Sequence, residues 1–254
     1  MRRVFISWSG DTLGIAEALS RWLGEAGAGH LDPWISSRSL TPGIKWSAHI
    51  DHVLQNADGA VVCLGPEGVH SPWVLYEIGA IGPSRPVIPV LFDVEPDTVP
   101  EVISQFQHVL HDGHATVTLG KVAAGLGLTI EADGPAATST AAILFQDAVD
   151  QFRRSRLEKI KATLAMTGQV EALLMLLGHV ARHPGRSPRQ YAKQDELQSS
   201  MGKKNATVLA IMLLSHLGLL ALRSFNRTDA GQVFLTRSGE TLLAAHNVNL
   251  LARP

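Results

Sequence analysis

The sequence predicts an α/β domain built on a parallel sheet, followed by a smaller, mostly helical domain. Three observations carry that reading. Short apolar runs alternate with amphipathic ones through residues 3–92, the period of strand–helix–strand units. Charge divides the chain of 254 residues: residues 1–150 hold 7 Lys+Arg and 17 Asp+Glu, a net of −10, and residues 151–254 hold 15 and 6, a net of +9. All five tryptophans (Trp8, Trp22, Trp34, Trp46 and Trp73) fall in the first part. The asymmetry predicts two domains with different partners, spanning 1–163 and 168–254.

In the first domain, RVFIS (3–7) is a short run of strand formers. TLGIAEALSRWLGEAG (12–27) sets Ile15, Leu19, Trp22 and Leu23 at helical spacing and ends in glycine. HLDPWIS (30–36) reads as a second strand, weakened by Pro33. WSAHIDHVLQNA (46–57) is helical, with Ile50, Val53 and Leu54 on one stripe. GAVVCLG (59–65) is apolar throughout, as a central parallel strand must be. HSPWVLYEIGAIG (70–82) is a short helix: Ser71 suits the N-cap, and Pro72 the first helical position, where a missing N–H costs nothing. RPVIPVLF (85–92) is a fourth strand whose Pro86 and Pro89 suggest an edge or an irregular end. VPEVISQFQHVL reads as helical, ATVTL as a fifth strand and LTIEADGPAATSTA as a loop. AAILFQDAVDQFRRSRLEKIKATLA (141–165) is a long helix with a stripe of Ile143, Val149, Phe152, Leu157 and Ile160.

The second domain opens near Thr167. Helical patterns cover TGQVEALLMLLGHVARH, SPRQYAKQDELQSSM and KNATVLAIMLLSHLGLL. Two strand-like runs, LGLLALRSF and GQVFLTR, flank the turn chemistry of NRTDAG, and SGETLLAAH closes as a helix with Ser238 as its cap. Three helices, a β-hairpin and a last helix resemble a winged helix-turn-helix. Arg182, Arg186, Arg189, Lys193, Lys203 and Lys204 suit phosphate contacts along such a unit. The third helix is mostly apolar, with few side chains able to reach base edges. DNA reading, a protein–protein or self-assembly role, and the sensing of another ligand or of non-specific nucleic acid therefore all stand open for this domain.

Composition sets limits. Apolar residues make up 45% of the chain, enough for a globular core, and no apolar run approaches the ~20 residues of a membrane span. The start, MRRVFISWSGD, turns polar too early for a secretory signal. The single cysteine, Cys63, cannot form an internal disulfide, which fits a reducing cytoplasm and a role as a small buried hydrophobe. His108, His111 and His114 recur every third residue, but structural zinc sites usually recruit cysteine as well, and no metal site is expected. GLG (125–127) lacks the context of a dinucleotide fingerprint, and GPEGVHS forms no nucleophile elbow.

In a parallel sheet of this kind, ligands bind outside the carboxyl ends of the strands. SWSGD, SSRSLTPGIKW and GPEGVHSPW gather there, each polar and each carrying a tryptophan. Glu77 lies one turn after Trp73, so both occupy one helix face, either turned to solvent as an ordinary surface charge or turned inward as a functional group. FISWSG (5–10), WISSRSLTPGIKW (34–46) and SPWVLYEIGA (71–80) resemble, in order and spacing, the three signature segments of the TIR (Toll/interleukin-1 receptor) domain in its bacterial form. The resemblance covers the first 160 residues and implies a flavodoxin-like sheet.

Many bacterial members of that family cleave NAD+, using the acid of an S-x-W-x-x-x-E segment, which is Glu77 here. The resemblance further implies that Trp8 and Ser9 line the nucleotide site. It places Ser36, Arg38 and Gly43 in a loop covering the cleft, with Arg38 as pyrophosphate partner, while Trp46 opens the next helix. Several NAD-cleaving relatives carry an acid where Ser36 stands, so this loop offers no carboxylate to orient the ribose. NAD+ would be substrate, with no resident cofactor. The chemistry agrees: the pyridinium leaves without a proton donor, so one carboxylate can serve where glycosidases with neutral leaving groups use two. Trp73 would add dryness and a stacking face. The implied protein is an assembling NAD+ nucleosidase, hydrolase or cyclase, of bacterial anti-phage immunity. It would work as a homo-oligomer or filament, with the C-terminal domain meeting a trigger or partner. The rival readings are a non-catalytic TIR scaffold and a nucleotide-sensing transcription regulator.

Overall fold

The structure, a computed structural model, describes residues 1–36, 52–81, 85–130, 134–185, 190, 204–223 and 232–246. The chain forms two compact units, Met1–Arg154 and Ser155–Pro254. The first contains β1 (Arg2–Trp8), α1 (Leu13–Ala26), β2 (Leu31–Ile35), β3 (Gly59–Leu64), α2 (Pro72–Ile81), β4 (Val87–Leu91), α3 (Glu101–Ser104), β5 (Val109–Leu110) and α4 (Ala115–Gly125). The first half of α5 (Thr140–Met166) completes it. The five strands are all parallel, in the order β2-β1-β3-β4-β5.

Strand periodicity divides the core into two layers. Val4, Ile6, Val61 and Cys63 face Leu19 and Trp22 of α1 and Phe145 and Val149 of α5. Phe5, Ala60, Val62 and Leu64 face the opposite way, toward Val74, Ile78 and Ile81 of α2. Burial pushes the Cys63 thiol up to about 12, consistent with an inert core residue.

Backbone direction explains where prolines are tolerated. Ser36 N–H donates to Ile6 O (2.9 Å) and Arg2 N–H to His30 O (2.8 Å). Even-numbered residues of β2 therefore face β1, and Pro33 turns its nitrogen to the open side. In β4, Phe92 N–H donates to Leu64 O (2.8 Å), so Pro89 faces away from β3.

Several expectations need correction. β4 is not an edge strand; it lies between β3 and β5, and Pro89 fits because β5 pairs only Val90 and Leu91. The helical reading of VPEVISQFQHVL shrinks to the four residues of α3, and the fifth strand lies in its last residues. ATVTL opens helix α4: its β-branched residues favour a strand, but Ala115, Thr118, Leu119, Val122 and Ala123 are buried at helical spacing, and packing overrides propensity. On α5 the buried row is Phe145, Val149, Phe152, Arg156, Ile160 and Leu164, whereas Ile143 is 59% exposed. Of the helix expected over 46–57, residues 52–56 are helical, and 46–51 lie outside the described residues.

In the second unit, the rest of α5 is followed by α6 (Val170–Arg182), α7 (Lys204–His216), β6 (Leu220–Arg223), β7 (Gln232–Leu235) and α8 (Arg237–Ala245). β6 and β7 pair antiparallel. The core joins Ile160, Leu164, Leu176, Leu177, Ile211 and Leu242. The expected second helix, SPRQYAKQDELQSSM, lies outside the described residues except for Gln190, as does the NRTDAG turn. The cap of α8 is Thr236, not Ser238: Thr236 Oγ1 accepts from Gly239 N–H at 3.1 Å. A Cβ at Gly239 would sit 2.4 Å from Leu219 O, so that turn accepts glycine alone. Ser238 Oγ instead accepts from Arg156 at 2.8 Å. Among the described residues, no helix is long and apolar enough to cross a membrane.

Candidate functional site

From β1 the chain runs to β2 on one side and then to β3 on the other. Loops leaving the carboxyl ends of those strands therefore diverge, the arrangement that opens a crevice in doubly wound sheets. Alternation along β1 puts Ser7 on the face of Phe5, toward α2. On α2 the buried residues are Val74, Glu77, Ile78 and Ile81, at spacing i, i+3, i+4 and i+7. Glu77 therefore occupies a core position, and the solvent-facing reading of this carboxylate is overturned. The local start of α2 is as expected: Leu75 N–H donates to Ser71 O (3.2 Å), and Pro72 takes the first helical position.

Among the described residues, three side-chain donors meet the Glu77 carboxylate. The Ser7 hydroxyl donates to Oε2. Ser36 Oγ donates to Oε1 at 2.8 Å and Trp73 Nε1 to the same oxygen at 2.6 Å. An indole N–H can only donate, so Oε1 is held as an acceptor. Glu77 and Ser7 are 0% exposed and Ser36 is 2% exposed. A carboxylate taken from water into an apolar layer needs such donors, each stronger than a neutral hydrogen bond because the acceptor carries charge. The partners stand 70, 41 and 4 residues away in sequence.

The other expected residues divide. Trp8 packs against the core layer on the opposite side of the sheet from Ser7, yet its Nε1 donates to Ser36 O at 2.6 Å and so helps fix Ser36. Ser9 lies in the neighbouring turn: its N–H donates to Thr12 Oγ1 (3.3 Å), and a Cβ at Gly68 would come 3.1 Å from its own Cβ. Trp73 is half-buried, its ring 5.1 Å from that of Tyr76. Arg38, Gly43 and Trp46 lie outside the described residues. The structure thus brings together Ser36, Trp73 and Glu77, with Trp8 one hydrogen bond away. Sequence reasoning missed Ser7. Its signal was a lone hydroxyl inside the apolar run VFIS, near the carboxyl end of the strand.

His111 is a core residue beside Phe92 and Phe145, with its Nδ1 2.9 Å from Thr118 Oγ1. Among the described residues, no group of three His, Cys, Asp or Glu side chains could hold a metal ion. What the described residues place here is a buried carboxylate. Its negative charge is least screened where water is absent, the setting in which a fixed charge best stabilises a developing cation. Since Glu77 is not exposed, a ligand that met Oε1 would have to take the place of the Ser36 hydroxyl or the Trp73 indole.

Residues 4–117 match the TIR domain family. The TIR domains of the activated Roq1 resistosome, which directly recognises the pathogen effector XopQ, are similar: 21% identical, with a TM-score of 0.33, over 60% of this chain and 83% of that one. No curated protein matches the chain.

Proposed function

We propose, from the premise that residues 4–117 form a TIR domain, that this protein cleaves the bond between nicotinamide and ribose in NAD+, with Glu77 as the catalytic carboxylate. The observation that carries the reading is the burial of Glu77 at the carboxyl edge of the sheet, under three converging donors. In the reaction the C1′–N bond breaks, and its electron pair leaves with neutral nicotinamide. The ribose carbon becomes an oxocarbenium ion, which Oε1 of Glu77 stabilises once a ribose hydroxyl has replaced a resident donor. Attack by water gives ADP-ribose and a proton; attack by a nucleophile of the adenosine moiety, with loss of its proton, gives a cyclic product. Trp73 walls the site and offers its ring to nicotinamide. Arg38, carried over from the resemblance, binds the pyrophosphate as a bidentate donor. In this reading the chain acts in the bacterial cytoplasm as an immune effector switched on by self-assembly. Residues 168–254, as a winged-helix-like domain, would control assembly or meet the trigger.

The test is nicotinamide release by purified protein over a range of protein concentrations, with products resolved chromatographically. Glu77→Gln preserves shape and keeps an acceptor for Trp73. It should lower the rate about 10²–10³-fold, the scale of losing a principal electrostatic contact to the transition state.

The full burial of Glu77 also favours a second reading, in which the carboxylate ties β1, β2 and α2 together and the TIR domain is a non-catalytic scaffold. That reading gains if no nicotinamide is released at any concentration while Glu77→Ala lowers the unfolding midpoint.

A further inference from the structure

We infer that Ser7 is a positioning residue, aiming the Glu77 carboxylate by holding Oε2 while Oε1 meets the substrate; the inference rests on the NAD+-cleaving reading above. The two oxygens are held differently. Oε1 takes donors from Ser36 and Trp73, and Oε2 takes the Ser7 hydroxyl. The three donors also differ in what anchors them. Trp73 lies on α2 itself, one turn before Glu77, so it moves with the carboxylate and cannot fix it against the sheet. Ser36 follows β2, the outermost strand. Ser7 alone of the three stands on β1, which is paired on one side with β2 and on the other with β3, in register with Val62. Its side chain is as buried as Glu77.

The last torsion of a glutamate is an sp³–sp² rotation with broad preferences, so rotamer energetics alone leave the plane of the carboxylate undetermined. Hydrogen bonds set it instead. When substrate displaces a donor on Oε1, the Ser7 bond still ties the carboxylate to β1. Without it, the carboxylate loses its tie to β1, and Oε1 spends less time facing the anomeric carbon. Misplacement on the scale of an ångström is enough to slow a positioned reaction by about 10²-fold. Ser7 does not touch substrate in this arrangement, so substrate affinity is spared.

The experiment compares wild-type, Ser7→Ala, Ser7→Cys and Ser7→Thr full-length proteins in steady-state nicotinamide release. Thermal unfolding is recorded for each, and the rates are taken at a temperature where all are folded. Ser7→Ala should lower kcat about 10- to 100-fold with KM within about twofold of wild type. Ser7→Thr, which restores the hydroxyl, should recover most of the rate. Ser7→Cys, a weak donor of similar size, should fall between alanine and serine. Equal kcat in Ser7→Ala and wild type overturns the positioning role while leaving Glu77 as the catalytic group. So does a loss that appears in KM alone, or one that threonine and cysteine both fail to repair although folded. A wild-type protein that releases no nicotinamide overturns the enzymatic reading, and the positioning role with it.

Discussion

Among the described residues, each unit buries one charged side chain, Glu77 and Arg156, and the two are satisfied in different ways. In Met1–Arg154, Glu77 is met by side-chain donors that depend on the meeting of three segments at a sheet edge. In Ser155–Pro254, Arg156 is 6% exposed and donates to Ser238 Oγ (2.8 Å) and to the backbone carbonyl of Leu217 (2.7 Å). Arg156 therefore ties the start of α8 and the turn before β6 to its own helix. A guanidinium bound to a main-chain carbonyl is a brace: the chain cannot release it without losing backbone structure. A carboxylate bound by hydroxyls and an indole can exchange those partners for the hydroxyls of a ligand. Burial of charge alone therefore does not identify function; the two sites differ in whether their partners can be exchanged.

Replacing both charges by uncharged side chains of similar size separates the two roles. Glu77→Gln should bring the largest effect, the loss of nicotinamide release given above, with little change in unfolding midpoint because the amide oxygen still accepts from Ser36 and Trp73 and the amide nitrogen donates to Ser7 Oγ in place of the original bond. Arg156→Met should do the reverse, lowering the stability of its unit by about 3 kcal/mol through loss of hydrogen bonds from a charged donor. All the tryptophans lie in the first domain, so urea unfolding separates the two. Circular dichroism should show the weakened transition while tryptophan fluorescence holds its midpoint.

Trp8→Phe comes next. It keeps an aromatic ring in the core layer but removes the donor to Ser36 O, at a cost of about 1 kcal/mol readable in thermal unfolding. The smallest effect belongs to Cys63. With its thiol pushed up to about 12, it should resist a thiol-specific reagent at pH 8 in the folded protein and react only after denaturant exposes it. Rapid labelling of the native protein would show that the β3 layer opens.

Much of the first unit was legible because a buried parallel strand is a continuous apolar run, and β1, β3 and β4 are such runs. The Ser71–Pro72 start of α2 was readable from local chemistry alone. β5 was not, since two residues carry no periodicity, and α4 was hidden by the β-branched Thr116, Val117 and Thr118. Of the site, Glu77, Trp73 and Ser36 could be chosen from sequence, but not their convergence. A contact across 41 or 70 residues depends on strand order, which the sequence pattern does not state. Ser7 was passed over because one serine in an apolar run looks like tolerated polarity until the register shows which face it takes. In the second unit, Ser238 looked like the better cap, and only the bonds of Thr236 and Arg156 assign the two hydroxyls.

Pro33 and Pro89 have a consequence for how copies of this chain can join. Each withholds an amide where the sheet would otherwise invite another strand: Pro33 on the outer side of β2, and Pro89 just ahead of the two-residue β5. A foreign or sister strand laid along either margin meets a missing donor near its middle, the device by which natural sheets resist runaway edge-to-edge stacking. At these two positions the five-stranded sheet therefore disfavours the addition of a further strand.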